Sequence, residues 1–385
     1  MCELYEVDPD GDLVIILPST DAAFAPWNDP NDELTVSSDS LENDFTVKIV
    51  CSQVTIVDER PSTSDASPPS VHFKVSSKHL SLASRRFKKM LSGDWEEAKT
   101  IYEDGCRHVT LDDGFDSDAV KLLLDIIHVQ TSKVPRSLDL EMLAKVSVLV
   151  DDFECYEAVG VFVDIWLDHL PISLPAEYNR DLVLWMLVSS VFRKSKLFES
   201  TTRTAIMHST EPIQTLGLPV RDIIVAKIDE ERQSLLNQLI ETVHDVLDKL
   251  RSSQPLCGFE CDSILLGAMV QQLYPHNLIW PKPLEPFIGF SFVETAETVR
   301  SLRSPAWCDM LVRATATREC EDEEMYFGTK KKKGKHRSPW AIVEEVAAAP
   351  EVQECHQHAC TLRDLLVPEL DHLEQSIGGL DLEKI

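Results

Sequence analysis

The residues whose types and spacing suit chemistry are two groups of cysteine and histidine. Cys257 and Cys261 lie four residues apart, close to the spacing of paired zinc-binding cysteines. Four more residues of these types crowd together near the C-terminus: Cys355, His356, His358 and Cys360. Thiolate sulfur and neutral imidazole nitrogen are the ligands that Zn²⁺ prefers. A zinc site joining the two groups would fasten the end of the chain to an earlier helix.

Buried thiols that pack as small hydrophobic side chains are the preferred interpretation of these cysteines. Neither group is a Cys-x-x-Cys pair followed by its usual partner ligands, so spacing alone does not define a zinc site. We therefore expect no catalytic residue and no cofactor. Zinc stays as the alternative, with these candidate ligands: Cys257, Cys261, His358 and Cys360. The ten cysteines are spread along a long chain, which favours reduced thiols.

A run of positive charge between residues 329 and 337 is the second candidate. Its charged members are Lys330, Lys331, Lys332, Lys333, Lys335 and Arg337. Such runs act as nuclear import signals or contact nucleic acid. The alternative is a solvated loop that pairs with the acidic cluster at residues 319–324. Binding of nucleic acid is the weakest of these interpretations, because the whole chain carries a net charge of −28.

Sequence motifs of the common enzyme classes are missing. The chain contains no GxSxG, P-loop, HExxH, GxGxxG or EF-hand string. Glycine accounts for only 13 of 385 residues, which disfavours enzymes built on glycine-rich phosphate loops. We therefore expect a protein that is not an enzyme. The alternative from another class is a cryptic zinc-dependent enzyme in the helical region.

Length and charge limit the functions further. A chain of 385 residues with 43% hydrophobic residues is long enough for two or three domains. Its 65 acidic residues outnumber 37 basic ones, which disfavours a generally basic surface for nucleic acid or anionic lipid. The N-terminus lacks the basic residues of a targeting peptide, and the longest apolar run, Leu182–Val188, is too short to span a membrane. We expect an intracellular protein of the cytoplasm, the nucleus or both, without membrane contact.

Composition and periodicity predict an α+β chain of several segments. An acidic flexible tail covers residues 1–43, where a docked strand at Leu13–Leu17 is the alternative. The other predicted segments are a mixed domain at 44–170 with a disordered insert at 58–70, a helical domain at 171–313, a disordered charged insert at 314–349, and a C-terminal helical segment at 350–385 that packs on the helical domain.

Alternating apolar residues place the strands of the mixed domain. Phe45, Val47 and Ile49 predict the first strand, and residues 71–77 the second. The stripe that runs from Leu80 through Phe87 to residue 91 predicts one helix after it. Another strand at 108–113 and several apolar helices complete the domain, and almost every later pattern is helical.

This order of elements from Asp44 to His169 resembles a BTB/POZ domain. The matching residues and motifs are Asp44 at the start of the first strand, Phe73 in the second, Leu80, Ser84 and Phe87 in the helix, then VTLDD, AVKLLLDIIH and LEMLAKVSVLVDDFEC. The rest of the chain is similar to the helical C-terminal region of BTB proteins from fungi, in CGFEC, WPKPLEPFIGFSF, SPAW, HACTL and GGLDL. The resemblance implies a short β-sheet flanked by helices, followed by a mostly α-helical region.

Protein–protein binding is the function that the resemblance implies. BTB domains dimerise, and many bind a cullin scaffold as substrate adaptors of ubiquitin ligases. We therefore expect either a homodimer or a scaffold-binding adaptor. The candidate residues for the interaction surface are Asp44, Val47, Leu80, Phe87 and Met90. The alternative for Leu80 and Phe87 is an ordinary place in the hydrophobic core.

Overall fold

A computed structural model describes residues 3–19, 22–27, 70–93, 100–112, 114–170, 173–305 and 360–385. The chain folds into two compact units. The first contains residues 1–230 and 378–385, and the second contains residues 231–377. The described residues form a small mixed sheet near the N-terminus and are otherwise mostly helical, which confirms the predicted α+β class. No helix in these ranges is long and apolar enough to cross a bilayer.

The elements of the first unit come first along the chain. Its strands are β1 (Glu3–Glu6), β2 (Leu13–Pro18), β3 (Ser70–Val75) and β4 (Arg107–Thr110). Its helices are α1 (Ser77–Ala83), α2 (Arg85–Ser92), α3 (Ser117–Ile127), α4 (Leu140–Phe153), α5 (Tyr156–His169), α6 (Arg180–Val191) and α7 (Ser195–His208). Helix α8 (Asp222–Arg251) runs from the first unit into the second. The second unit continues with α9 (Phe259–Leu273), a 3₁₀ turn (Tyr274–His276), α10 (Phe292–Arg300) and α11 (Leu362–Ser376).

The sheet has the strand order β1-β3-β2-β4. Strands β2 and β3 are antiparallel with Ile15 opposite Phe73, whereas β4 is parallel to β2 with Val109 beside Ile15. All three of these side chains are buried. Burial of large apolar side chains from neighbouring strands is what stabilises a sheet of this size.

The prediction of a flexible tail over residues 1–43 is wrong for Glu3–Glu6 and Leu13–Pro18, which are strands of the sheet. The alternative for the apolar run, a docked strand, is confirmed. Leu13–Leu17 is apolar throughout and lies between β3 and β4, so all of its side chains except that of Ile16 are buried, although its neighbours in sequence are acidic. The predicted strand at 44–50 and the predicted inserts at 58–70 and 314–349 fall outside the described residues, apart from Ser70 in β3.

The single helix predicted through Leu80 and Phe87 is two helices, α1 and α2, which meet at Ser84. Ser84 has extended backbone angles, and its hydroxyl oxygen accepts a hydrogen bond from the Phe87 amide at 3.0 Å. The same hydroxyl donates to the carbonyl oxygen of Phe153. A serine that caps the second helix in this way ends the first.

Two helices of the first unit show how nearby residues determine a cap and the extent of burial. Asp116 caps α3, because its carboxylate accepts from the amides of Asp118 and Ala119. Helix α6 contains the longest apolar run of the chain, and every residue from 182 to 189 is buried. It packs against α4 and α7, so the two units divide within α8 and not at the predicted boundary after residue 170.

The second unit packs around α8. Leu236, Ile240 and Phe287 form a buried cluster there. The fully buried Arg232 donates to the carbonyl oxygens of Pro286 at 2.8 Å and Phe287 at 3.2 Å. The proline-rich connector between α9 and α10 is therefore fixed by side-chain contacts.

The C-terminal helix α11 belongs to the second unit and contacts α10. Arg300 on α10 donates to Glu374 at 2.5 Å and to Asp371 at 2.9 Å. The last residues, 378–385, belong to the first unit. There the amide of Leu380 donates to the hydroxyl oxygen of Thr202 at 2.9 Å.

Candidate metal centre

Three cysteine thiols meet in the second unit. Cys257 lies just before α9, Cys261 lies in the first turn of α9, and Cys360 lies just before α11. Their sulfur atoms all lie within 4.8 Å of one another, so this three-cysteine cluster could hold a metal ion. Three of the four candidate ligands from the sequence are therefore together. The fourth candidate, His358, lies outside the described residues, as do Cys355 and His356.

Hydrogen bonds near the start of α11 explain how Cys360 is held close to Cys257 and Cys261. The hydroxyl oxygen of Thr361 caps α11 by accepting from the Asp364 amide at 3.0 Å. The Leu362 amide donates to the hydroxyl oxygen of Ser304 at 2.9 Å. These bonds fix the start of α11. They therefore also fix Cys360, which immediately precedes the capping residue Thr361.

Burial and the neighbouring thiols raise the pKa values of Cys261 and Cys360. Cys261 is only 1% exposed, and burial, followed by the neighbouring Cys257 and Cys360, raises the pKa of its thiol to about 12. The pKa of Cys360 is also raised, first by burial and then by its hydrogen bond with Cys257. A bound metal cation reverses this balance, because a coordinating thiol loses its proton.

The carboxylate of Asp262 lies beside the three-cysteine cluster and is almost completely buried. Its Oδ2 accepts a hydrogen bond from the amide of Leu256 at 2.7 Å. Its Oδ1 is buried and has no hydrogen-bond partner in the described part of the chain. The raised pKa of the Cys360 thiol is caused first by burial and then by Cys257, and Asp262 adds a smaller contribution in the same direction. Neither the residue type nor the spacing of Asp262 distinguished it in the sequence.

The predicted interaction residues are placed differently from the expectation. Leu80 and Phe87 have no exposed surface, so they are wrong as surface residues and fit the core alternative. The Phe87 ring packs edge-on against Phe153 of α4 at 5.0 Å between centroids. Met90 is half-buried. Asp44, Val47 and the lysine-rich run at 330–337 lie outside the described residues.

The sequence analysis did not identify Leu82, an exposed leucine on the helix that also carries Leu80. Leu82 on α1 is 89% exposed and lies at a groove of about 600 Å³ that α2, α4, α5 and α6 also line. Tyr156, Val191 and the buried Val150 also line this groove. Leu82 lies two residues after the buried Leu80, and on a helix that spacing puts it on the opposite side.

Asp12 is a second polar residue that was missed. Its carboxylate accepts from the amide and hydroxyl of Ser77 at 2.8 and 2.7 Å, and from Arg107 at 2.7 Å. Partial burial opposes its ionisation, but these bonds from Ser77 and Arg107 outweigh it and hold the pKa of Asp12 below its ordinary value. Asp12 thus ties the start of β2 to α1 and β4.

Comparison with known protein families, with curated proteins and with solved structures gave no match to this chain.

Proposed function

We propose that this chain is a non-enzymatic protein-binding protein whose first unit is a BTB/POZ-like assembly module. The support from the fold is the order of elements. Two antiparallel strands, two short helices, a third strand and three further helices follow one another as β2, β3, α1, α2, β4 and α3–α5. The resemblance to BTB domains rests on the same order from β3 to α5, with one helix in place of α1 and α2, and on a first strand at Asp44 that lies outside the described residues. The strand that pairs with β3 here is Leu13–Pro18.

Leu82 is the observation that carries the proposal. A single exposed leucine is common, but this one borders a groove whose lining includes Tyr156, itself 40% exposed, and the buried Val150. Covering one leucine side chain contributes about 1.5–3 kcal/mol to binding. A groove of this kind accepts an apolar side chain from a partner helix or segment.

Charged side chains at the groove would determine the orientation of a bound partner and the specificity of binding. Arg85, Lys88 and Arg193 line it together with Asp151 and Glu154. Because both signs are present, a second copy of this chain can offer complementary charges to the same surface. Self-association is therefore the first form of the proposal, and binding to a scaffold protein is the second.

The test uses Leu82→Asp in the full chain, with Val161→Asp as its matched control. Val161 is also exposed, on α5, but it does not line the groove. Sedimentation at rising concentration is expected to show dimers for the wild type and the control, and monomers for Leu82→Asp. A wild type that stays monomeric and binds no scaffold would contradict the proposal, as would binding that Leu82→Asp leaves unchanged.

A substrate adaptor of a cullin-type ubiquitin ligase is the narrower form of this proposal. It rests on the same resemblance and the same groove. Titration of the full chain with the N-terminal domain of a cullin separates the two forms. Binding that Leu82→Asp weakens and Val161→Asp does not would support the adaptor, and no binding would leave self-association alone.

We also propose that the three-cysteine cluster holds Zn²⁺ as a structural ion. Structural zinc sites use three or four cysteine ligands in tetrahedral geometry, and three thiols lie within 4.8 Å of one another here. Protein purified without chelator is expected to contain one zinc per chain. Cys261→Ser should lose it, whereas Cys155→Ser, at another buried cysteine, should keep it. Zinc well below one per chain would contradict the proposal.

The zinc-dependent enzyme stays as the alternative for the same residues. A catalytic zinc site keeps one position open to an outside ligand, whereas a structural site is closed. Cobalt in place of zinc reports this difference, because its spectrum changes when an added small thiol binds the metal. An unchanged spectrum supports the structural site.

A further inference from the structure

We infer that His128 is a pH-sensitive contact of the first unit, which holds helix α1, and with it Leu82, in place only while its imidazole ring is neutral. The inference rests on the proposed function, because it names the condition under which the groove at Leu82 binds a partner.

Both nitrogen atoms of the His128 ring have hydrogen-bond partners. Nδ1 lies 2.8 Å from the carbonyl oxygen of Leu124, which can only accept a hydrogen bond. Nε2 lies 2.9 Å from the backbone nitrogen of Ser76, which can only donate one. The hydrogen atom of the neutral ring must therefore be on Nδ1, and Nε2 is the acceptor. A proton added at Nε2 would point at the N–H group of Ser76 and break this bond.

The bond from Ser76 lies at the start of α1. Ser76 is the residue that precedes this helix, and its own side chain makes no capping bond. The next residue, Ser77, donates its amide and its hydroxyl to Asp12. Asp12 and His128 therefore both hold the start of the helix on which Leu82 lies. The pKa of Asp12 is below 3.8, so Asp12 stays ionised over the range in which an imidazole titrates.

The surroundings of the ring disfavour its protonation. Burial is the first cause of the lowered pKa of His128, and the His79 ring on α1, at 5.1 Å between centroids, acts in the same direction. The Leu124 carbonyl, Asp8 in the turn between β1 and β2, and Asp125 on α3 act in the opposite direction and are outweighed. The two attracting carboxylates lie outside α1, whereas the repelling ring lies on it. Protonation therefore favours separation of the ring from α1.

The direction of the pH effect follows from the lowered pKa. In a state in which α1 has left α3, the His128 ring meets water and titrates near the ordinary value of 6.5. The contact therefore contributes fully above pH 6.5 and weakens as the pH falls from 6.5 towards the lower pKa of the folded state. Acidification should loosen α1 and weaken binding at Leu82.

The experiment compares two substitutions of His128 in the full chain at about pH 7.5 and about pH 5.5, on either side of the ordinary imidazole value. His128→Gln offers Ser76 an oxygen that does not titrate. His128→Asn is shorter and leaves the Ser76 amide without this acceptor at either pH. His169→Gln is the matched control, since His169 makes the same bond to the carbonyl group four residues earlier but is exposed. Hydrogen exchange measures the protection of residues 77–83, and sedimentation measures self-association and binding of a cullin N-terminal domain.

The wild type and His169→Gln should respond to pH, and the two variants of His128 should not. Protection of residues 77–83, corrected for intrinsic exchange rates, should fall about 2- to 10-fold at the lower pH, the effect of losing one hydrogen bond. The dissociation constant at the groove should rise by a similar factor. His128→Gln should keep high protection and tight binding at both pH values, and His128→Asn should show low protection and weak binding at both.

The outcomes that overturn the inference are distinct from failure of the proposed function. Equal pH dependence in the wild type and His128→Gln would remove His128 as the pH-sensitive group. Lower protection at the lower pH without weaker binding would remove its control over the groove. A wild type that binds neither a second copy nor the cullin domain at either pH would contradict the proposed function and the control of binding together. Hydrogen exchange alone would then decide whether His128 holds α1.

Discussion

The backbone of Gly379 lies directly against the carbonyl group of Glu199. A Cβ atom added to Gly379 would be 1.7 Å from that oxygen, a distance no side chain tolerates. The next residue, Leu380, is mostly buried and donates its amide to Thr202 on the same helix, α7. The last residues of the chain are therefore docked on the first unit, and only glycine permits this approach.

Gly379→Ala should detach these last residues from α7. The added methyl group meets backbone that cannot move aside as a flexible side chain would, so we expect a loss of about 1–3 kcal/mol in the free energy of unfolding. Urea unfolding measures the loss, and limited proteolysis should cut the variant near its C-terminus first. Gly378→Ala is the control, because its Cβ would meet nothing within 4 Å. Equal stability of the two variants would contradict the close approach.

Replacing Asp12 by alanine should destabilise the first unit. Ser77 and Arg107 both donate to this carboxylate, and hydrogen bonds to a charged group contribute more than neutral ones. The side chain is half-exposed, so we expect a loss of about 1–2 kcal/mol. Asp10→Ala removes the same charge at an exposed position and should change stability little. Chemical unfolding of the three proteins checks this order.

The contribution of Asp12 should depend on pH in a defined direction. Its pKa is lower in the folded protein than the ordinary value of 3.8, so its stabilisation is complete above that value. The stabilisation is lost as the pH falls through the folded pKa. The difference in unfolding free energy between the wild type and Asp12→Ala should therefore be constant near neutral pH and shrink below 3.8. A difference that grows on acidification would contradict this assignment.

Arg232 and Arg300, two of the arginines in the second unit, should differ strongly when each is replaced by methionine. Arg232 is fully buried and donates to two carbonyl groups, whose loss leaves acceptors without partners, so Arg232→Met should cost about 3 kcal/mol or more. Arg300 is partly exposed, and its ion pairs with Glu374 and Asp371 should contribute only about 1 kcal/mol or less. Added salt should weaken the second contribution and not the first. Comparable losses at both sites would contradict the burial argument.

Thiol labelling at pH 8 should distinguish the cysteines of the cluster. Cys257 and Cys360 are exposed, whereas Cys261 is buried with a pKa of about 12, so the metal-free chain should be alkylated at the first two before Cys261. Zinc should slow all three reactions. The buried Cys155, whose pKa is also raised to about 12, should stay unlabelled with or without zinc. Mass spectrometry of the digested chain measures each site, and rates indifferent to zinc would contradict a metal on these thiols.

Much of the helical structure could be predicted because it depends on neighbouring residues. The run from 182 to 189 in α6 is buried, and Asp116 caps the helix that follows it directly, so both features depend on residues close together in sequence. Strand β2 could not be assigned in the same way. Four of its five apolar residues are buried, and this burial depends on β3 and β4, which come from far along the chain and lie on either side of it. The break at Ser84 likewise depends on Phe153 of another helix.

The types of residue in the candidate site could be predicted from the sequence, but their positions relative to one another could not. Residue types identified Cys257, Cys261 and Cys360 as candidate ligands of one joined site, but only the fold shows that their sulfur atoms lie within 4.8 Å of one another. In the sequence Asp262 resembles any acidic residue in the first turn of a helix, and only the structure shows that it is buried and bonded to the Leu256 amide. Leu82 and Leu80 are alike in sequence, and their opposite exposure follows from which side of α1 faces the core.

Cross-linking from position 82 tests the protein-binding proposal most directly. Leu82 is replaced by a photoreactive benzophenone amino acid, with the same replacement of Val161 as the control, and the full chain is irradiated alone and with a cullin N-terminal domain. The proposal predicts a covalent product from position 82, to a second copy of the chain or to the scaffold, and none from position 161. Irradiation that yields no product from position 82, or equal products from both positions, would contradict it.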